Sequence, residues 1–169
     1  MQQLIPSAAQ CIAIVSFDDR ADAYLYNAAF ALLYGCGMFN SEVLDLKRGD
    51  VAVSQRTLLT VLGARARTLP VPKGASERLS ILMQQDAESG DDEFVFRRGH
   101  RQLDGPSVAA ELKRRSAILG IRRPLVTTDL RRAFASHMAA GQVPAEVIAA
   151  MMGYDSVNSL DRMLMRPAA

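Results

Sequence analysis

The first long apolar pattern lies at residues 19–33, where alanine and leucine recur three and four positions apart. This spacing places them on one face and predicts a buried, alanine-rich helix. Gly35 and Gly37 follow, and glycine tolerates the left-handed conformation that closes a helix. Ser41 has the character of an N-cap, which predicts a short helix over residues 41–47.

The period of the pattern changes after residue 50. Short runs rich in valine, leucine and threonine occupy residues 51–53, 57–62 and 68–71, and turn-like residues separate them. Such runs predict a small antiparallel sheet of three strands. Pro72 and Gly74 mark the exit from the sheet.

Helical patterns dominate the second half of the chain. The N-caps are Thr127 or Thr128 for the third of these helices and Ser156 for the last, and Pro106 suits a first helical turn. Phe94 to Phe96 predict a short buried extended segment. The predicted helices cover residues 76–86, 106–119, 129–140, 144–152 and 156–165. The predicted fold class is mainly α with a small three-stranded antiparallel sheet.

Length and composition narrow the class of protein. A chain of 169 residues with 49% hydrophobic and 22% charged residues is typical of one globular domain. No apolar run approaches the ~18 residues of a membrane span, and the first residues do not form a secretory signal. Cys11 and Cys36 are too few for a disulfide framework or a metal site. We therefore expect a cytoplasmic protein without metal or cofactor.

The charge is unevenly distributed. The net charge is +2, yet residues 97–132 hold ten basic residues against three acidic ones. An acidic stretch, Asp86 to Glu93, lies just upstream. Lys113, Arg114 and Arg115 are expected to point at least partly outward. Arginine binds phosphate in bidentate geometry, so this surplus favours a nucleic-acid partner, although a solvated helix face would have the same composition.

Three segments of the chain carry motifs in a fixed order. The first is LLYGCGMFNSEVLDLKRGDV at residues 32–51, the second is RTLP at residues 67–70, and the third is TTDLRRAFASHMAAGQVPAEVIAAMMGYDSVNSLDRM at residues 127–163. With the order of predicted elements, they resemble the catalytic domain of the tyrosine recombinases, the family of phage integrases and Xer-type enzymes. The resemblance covers nearly the whole chain and implies that family's fold.

The resemblance also implies a chemistry. In that family a tyrosine hydroxyl attacks the scissile phosphate, two arginines hold that phosphate, a lysine protonates the leaving oxygen, and two histidines assist. The second arginine is retained here as Arg131. The other five positions hold Phe39, Ala64, Thr128, Tyr154 and Met163, of which Met163 occupies the position of the nucleophile.

These replacements predict that the chain does not cleave DNA, because neither a thioether nor a phenyl ring can perform the missing roles. Tyr154 acting as a displaced nucleophile is the alternative. Glu42 and Asp50 match family acids that we interpret as structural anchors, and His137 as a polar group satisfied in the core.

The main hypothesis is an inactive recombinase-like protein that binds the phosphates of double-stranded DNA, as a regulator or accessory factor in recombination or integration of a mobile element. Residues 1–169 would form one domain, without the helical DNA-clamping domain of full-length members. Other hypotheses are a module that modulates an intact recombinase or self-associates, a decayed remnant, and an active recombinase. The arginines expected to contact DNA are Arg65, Arg67, Arg97, Arg98, Arg101, Arg122, Arg123, Arg131 and Arg132.

Overall fold

The computed structural model of the chain describes residues 5–52, 58–85 and 89–165. Val53, Thr57, Asp86 and Glu88, which figure in the predictions above, lie outside these ranges. The helices are α1 (Ala8–Ile14), α2 (Ala23–Cys36), α3 (Asn40–Leu44), α4 (Lys73–Gln85), α5 (Gly105–Ile118), α6 (Thr127–Ala140), α7 (Ala145–Met151) and α8 (Val157–Met165), with a 3₁₀ turn at Arg48–Asp50. The strands are β1 (Val51–Ala52), β2 (Leu58–Val61), β3 (Arg67–Pro70), β4 (Arg97–Arg98) and β5 (Arg101–Gln102). The predicted fold class is confirmed.

The three-stranded sheet is antiparallel throughout, in the order β1-β2-β3. Leu59 lies opposite Val51 on one side and Leu69 on the other. All three of these side chains are buried, because alternate positions of a strand face the same side. The buried face joins the core, and residues 62–66 form the turn that connects β2 to β3. β4 and β5 form a separate short hairpin.

Helix α2 is the centre of the molecule. Its side chains are buried nearly all round, and it packs mainly against α4 and α6. Alanines at positions 28, 29 and 31 let these neighbours approach closely, while Phe30 and Leu32 fill the space between them. The predicted buried helix is confirmed, although it begins at Ala23 and not at residue 19.

A smaller apolar cluster joins the last three helices. Phe134 and Ala135 of α6 meet Ile148 of α7, and Leu160 and Met163 of α8 complete the contact. The cluster fixes the C-terminal helices against α6, the helix that carries Arg131.

Some local predictions were wrong. Helix α3 begins after Phe39, where the Glu42 carboxylate accepts the Phe39 N–H at 2.8 Å, so Ser41 is not its N-cap. Helix α6 likewise begins after Val126, whose N–H is bound by Asp129, and not by a threonine cap. Helix α1 was not predicted at all.

The position of Arg115 overturns the expectation that it points partly outward, because its side chain is completely buried. Its Nε donates to Glu111 at 2.7 Å, and its Nη1 donates to the carbonyl of Ile14 at 2.6 Å. The rings of Phe17 and Phe30 lie 4.8 and 5.1 Å from the guanidinium carbon. A buried charge is tolerated because its donors are satisfied and its partner is adjacent.

Glu111 is the centre of this ionic network. Its carboxylate also forms ion pairs with Arg114 at 2.7 Å and with Arg20 at 3.1 Å. Burial by itself raises the pKa of Glu111, but the hydrogen bonds and charges of Arg114 and Arg115 outweigh burial and lower that pKa to about 2. The network thus ties α5 to the segment between α1 and α2.

We expect the folded chain to lose stability as the pH falls from about 4.5 to about 2. In this range Glu111 takes up a proton in the unfolded chain but stays ionised in the folded chain, which favours unfolding. The contribution is fully present above pH 4.5 and amounts to about 3 kcal/mol. Glu111→Gln should lower the urea midpoint at pH 7 and flatten its decline in acid. Glu77→Gln, on the exposed surface of α4, is the matched control and should change stability by less than about 0.5 kcal/mol. An acid decline as steep in Glu111→Gln as in the parent chain would contradict this assignment.

Candidate functional site

An open cleft of about 690 Å³ lies between the start of α3, the β2–β3 turn, the start of α6 and α8. It brings together five of the six positions at which the family's chemistry was sought. Its lining consists of Phe39, Arg65, Val126, Thr128, Arg131, Arg132, Gly153, Tyr154, Asp155, Ser159, Arg162 and Met163. The sixth position, Ala64, lines a neighbouring cavity of about 320 Å³.

Phe39 is fixed by a chain of polar contacts behind it. Its N–H donates to Glu42, and both oxygens of Glu42 accept from Arg67, at 2.8 and 2.9 Å. The Nε of Arg67 donates in turn to the carbonyl of Met151 at the end of α7, at 2.7 Å. The structural role predicted for Glu42 is therefore confirmed, and so is that of Asp50, which accepts the Lys47 N–H at 3.0 Å.

Arg131 lies at the bottom of the cleft and is only 5% exposed. Its Nε donates to the carbonyl of Gly37 at 3.0 Å, and its guanidinium lies 3.6 Å from the centroid of the Phe39 ring and 5.5 Å from that of Tyr154. Burial lowers the pKa of Arg131, and Tyr154 opposes that shift, but an arginine remains charged at neutral pH. Among the described residues its Nη2 has no hydrogen-bond partner.

Arg65 reaches the cleft from the β2–β3 turn. The residue is exposed, and its guanidinium carbon lies 4.3 Å from the centroid of the Phe39 ring. Gly153, with φ at +73°, permits this approach, because a Cβ there would lie 2.8 Å from Nη1 of Arg67 and 3.2 Å from Cδ of Arg65. The cleft therefore contains two guanidiniums against one aromatic ring.

Met163, which the resemblance places at the position of the nucleophile, is a core side chain. Met163 is 8% exposed and packs into the cluster of α6, α7 and α8, while its carbonyl accepts from Nε of Arg132 at 3.2 Å. Thr128 lines the same cleft at the start of α6. A thioether has no hydroxyl with which to attack a phosphate.

Cationic groups exceed acidic ones in the lining of the cleft. The described lining holds Arg65, Arg131, Arg132 and Arg162 and the carboxylate of Asp155, and Arg132 also lies 3.6 Å from the buried Asp129. Arg162 is exposed and was missed by the sequence reasoning, although its place directly before Met163 in the third motif could have indicated it. This arrangement can attract and bind an oxyanion.

The other predicted DNA-contacting arginines lie outside the cleft, and most are engaged within the protein. Arg67 binds Glu42, and Arg98 binds Asp22 and the hydroxyl of Tyr26. Arg97 pairs with Glu93 at 3.1 Å, and Arg123 pairs with Asp129 at 2.9 Å. Arg101 is 86% exposed and lies 3.6 Å from Asp104. Arg122 is exposed.

His137 has the structural placement expected of it. Its Nδ1 shares a 3.0 Å hydrogen bond with the hydroxyl of Tyr34, linking α6 to α2, and it does not line the cleft.

Two further properties concern only the described part of the chain. No helix in it is long and apolar enough to cross a membrane. Nor do three or more His, Cys, Asp or Glu side chains among those residues gather into a group that could hold a metal ion.

Comparison with known proteins relates this chain to the tyrosine recombinases. The model of the phage integrase family matches residues 7–164. Tyrosine recombinase XerC of Chromobacterium violaceum is 31% identical over 136 residues, which are 78% of this chain and 45% of that protein. XerC of Rhodospirillum centenum is 28% identical over 140 residues, 80% of this chain and 40% of that protein. The chain thus spans less than half the length of these curated relatives.

Solved structures agree on the fold. The crystal structure of XerA recombinase superposes with a TM-score of 0.84 at 15% identity, covering 96% of this chain and 58% of that one. XerH site-specific recombinase bound to its difH substrate gives a TM-score of 0.75 at 17% identity, over 93% of this chain and 47% of that one. A lambda integrase dimer bound to a core site gives 0.72 at 14% identity, over 97% and 60%. The chain belongs to the phage integrase family of tyrosine recombinases and has the fold of their catalytic domains.

Proposed function

We propose that the chain binds duplex DNA through its phosphates without cleaving it, as a regulator or accessory factor in recombination or integration. The observation that carries this proposal is the composition of one cleft. It contains buried Arg131, whose Nη2 has no hydrogen-bond partner among the described residues, while Phe39 and Met163 lie where the resemblance places the first arginine and the nucleophile.

Strand cleavage through a protein–DNA bond needs an oxygen nucleophile, and Met163 has none. Phe39 cannot donate a hydrogen bond to a phosphate, and Ala64 cannot protonate a leaving oxygen. Removing one electrostatic donor from such a site costs about 10²–10³ in rate. Several such losses together leave no route to cleavage at these positions.

Phosphate binding needs less than catalysis does. It requires cationic donors facing a groove, and Arg65, Arg131 and Arg162 in the lining of the cleft meet that requirement. The solved structures show XerH bound to difH substrate and lambda integrase bound to a core site, which supports DNA as the ligand of this related fold. Arg101 and Arg122, both exposed, are further candidates for phosphate contact.

One observation favours a second candidate, an active recombinase that uses Tyr154. This tyrosine lines the cleft and its ring lies 5.5 Å from the Arg131 guanidinium, so it is the hydroxyl-bearing ring beside the retained arginine. Its ring also packs edge-on against that of Phe39, with the two ring centroids 5.9 Å apart. A covalent trapping experiment separates the two candidates.

Binding to a mixed-sequence duplex of about 30 bp should weaken steeply with salt and have a dissociation constant of about 10⁻⁴–10⁻⁶ M. Fluorescence anisotropy at several salt concentrations measures both. Arg162→Gln should reduce the slope of log K against log salt by about 0.9, the value for one phosphate contact. Lys113→Gln, an exposed charge on α5 outside the cleft, is the matched control and should leave the slope unchanged. Absence of binding at low salt would refute the proposed function.

A nicked duplex that traps covalent intermediates should give no adduct that survives denaturation. The reason is that the nucleophile position holds Met163. Denaturing gel electrophoresis with labelled DNA provides the measurement, with an intact tyrosine recombinase as positive control. An adduct formed by the parent chain and absent from Tyr154→Phe would establish the active alternative.

A further inference from the structure

Phe39 contacts two cationic side chains that come from different parts of the chain. Arg131 approaches its ring centroid to 3.6 Å from α6, and Arg65 approaches it to 4.3 Å from the β2–β3 turn. The distance between the two guanidinium carbons is therefore no greater than the sum of these two distances. Cations are attracted to the π face of an aromatic ring, so the ring offsets part of their mutual repulsion.

The ring that gathers these cations is itself fixed. The Phe39 N–H is bound by Glu42, and Arg67 holds Glu42 through two hydrogen bonds. Tyr154 packs edge-on against the ring, 5.9 Å from it. A side chain held on so many sides can serve as a rigid support for a flexible one.

Arg65 depends on that support for its position. None of the described carboxylates forms an ion pair with it, and its residue is exposed. Its stem passes close to Gly153, and its turn is closed by a 3.1 Å hydrogen bond from the N–H of Ala66 to the carbonyl of Gly63. The contact with the Phe39 ring is thus the described interaction that fixes its guanidinium in the cleft.

We propose that Phe39 is a positioning residue, and that it holds Arg65 beside Arg131 so that the two guanidiniums bind one phosphate group. This inference rests on the proposed function for its ligand and adds the means by which a second cation reaches the site. Nη2 of Arg131 has no partner among the described residues, and a bridging phosphate oxygen would supply one. Arg132 and Arg162 extend the cationic lining along the cleft, as a polyanion requires.

The test uses the full chain, isotopically labelled, and inorganic phosphate as the probe. In the parent chain the δ protons of Arg65 should carry an upfield ring-current shift. Phosphate should perturb the Nε–Hε signals of Arg65 and Arg131 with one common dissociation constant. Phe39→Leu should abolish the ring-current shift, release Arg65 from the phosphate response and weaken binding about threefold to tenfold. Phe39→Tyr keeps the ring and should retain all three properties.

Arg65→Gln provides a second variant that leaves the ring and its supports in place. It should weaken phosphate binding as much as Phe39→Leu does, and each should reduce the salt slope of DNA binding by about 0.9. Lys113→Gln is the control for the loss of a charge elsewhere. Unchanged phosphate binding in Phe39→Leu or in Arg65→Gln overturns the inference.

The two proposals fail in different ways. A chain that binds duplex DNA with the same slope with and without the Phe39 ring refutes the positioning role and leaves the proposed function standing. If inorganic phosphate shifts the Nε–Hε signals of Arg65 and Arg131 with one dissociation constant but no duplex binds, the DNA function alone is refuted.

Discussion

The ion pair between Glu42 and Arg67 holds the cleft together. Both side chains are about nine-tenths buried, and between them they bind the N–H of Phe39 and the carbonyl of Met151. The start of α3, the strand β3 and the end of α7 therefore meet at a single pair of charges. Removing one partner would leave the other buried and unpaired, which costs about 3–5 kcal/mol in comparable cases. These contacts of Glu42 and Arg67 do not depend on catalytic groups in the cleft, so the arrangement of α3, β3 and α7 can be kept when the residues lining the cleft change.

The sequence predicted most of the helices and the sheet, because helical spacing and short β-branched runs are local signals. It did not predict α1, in which only Cys11 and Ile14 are buried and no long periodic pattern exists. The N-caps of α3 and α6 were misplaced for a shared reason. At both, the residue before the helix is apolar, and its N–H is bound by a carboxylate three residues into the helix. A search for a serine or threonine cap therefore places the start of each helix too late.

The cleft was predictable only through the resemblance, since positions 39, 128, 154 and 163 are far apart in the chain and were brought together by motif spacing alone. The roles of the arginines were harder to foresee. Arg97, Arg115 and Arg123 belong to a basic region, yet each has a carboxylate partner within the protein. A count of charges cannot separate a guanidinium that serves the fold from one that faces solvent, because the difference lies in partners supplied by other elements.

Met163 has a consequence for how freely the chemistry of this cleft can change. Its thioether belongs to the packed cluster of the last three helices, and its carbonyl holds Arg132. A tyrosine in its place would need both room for a larger ring and a path for its hydroxyl to leave the apolar cluster, and overpacking a core costs about 1–3 kcal/mol. A change at this position therefore alters packing and cleft surface together, because the side chain of Met163 lies both in the apolar cluster that contains Phe134 and Leu160 and in the lining of the cleft.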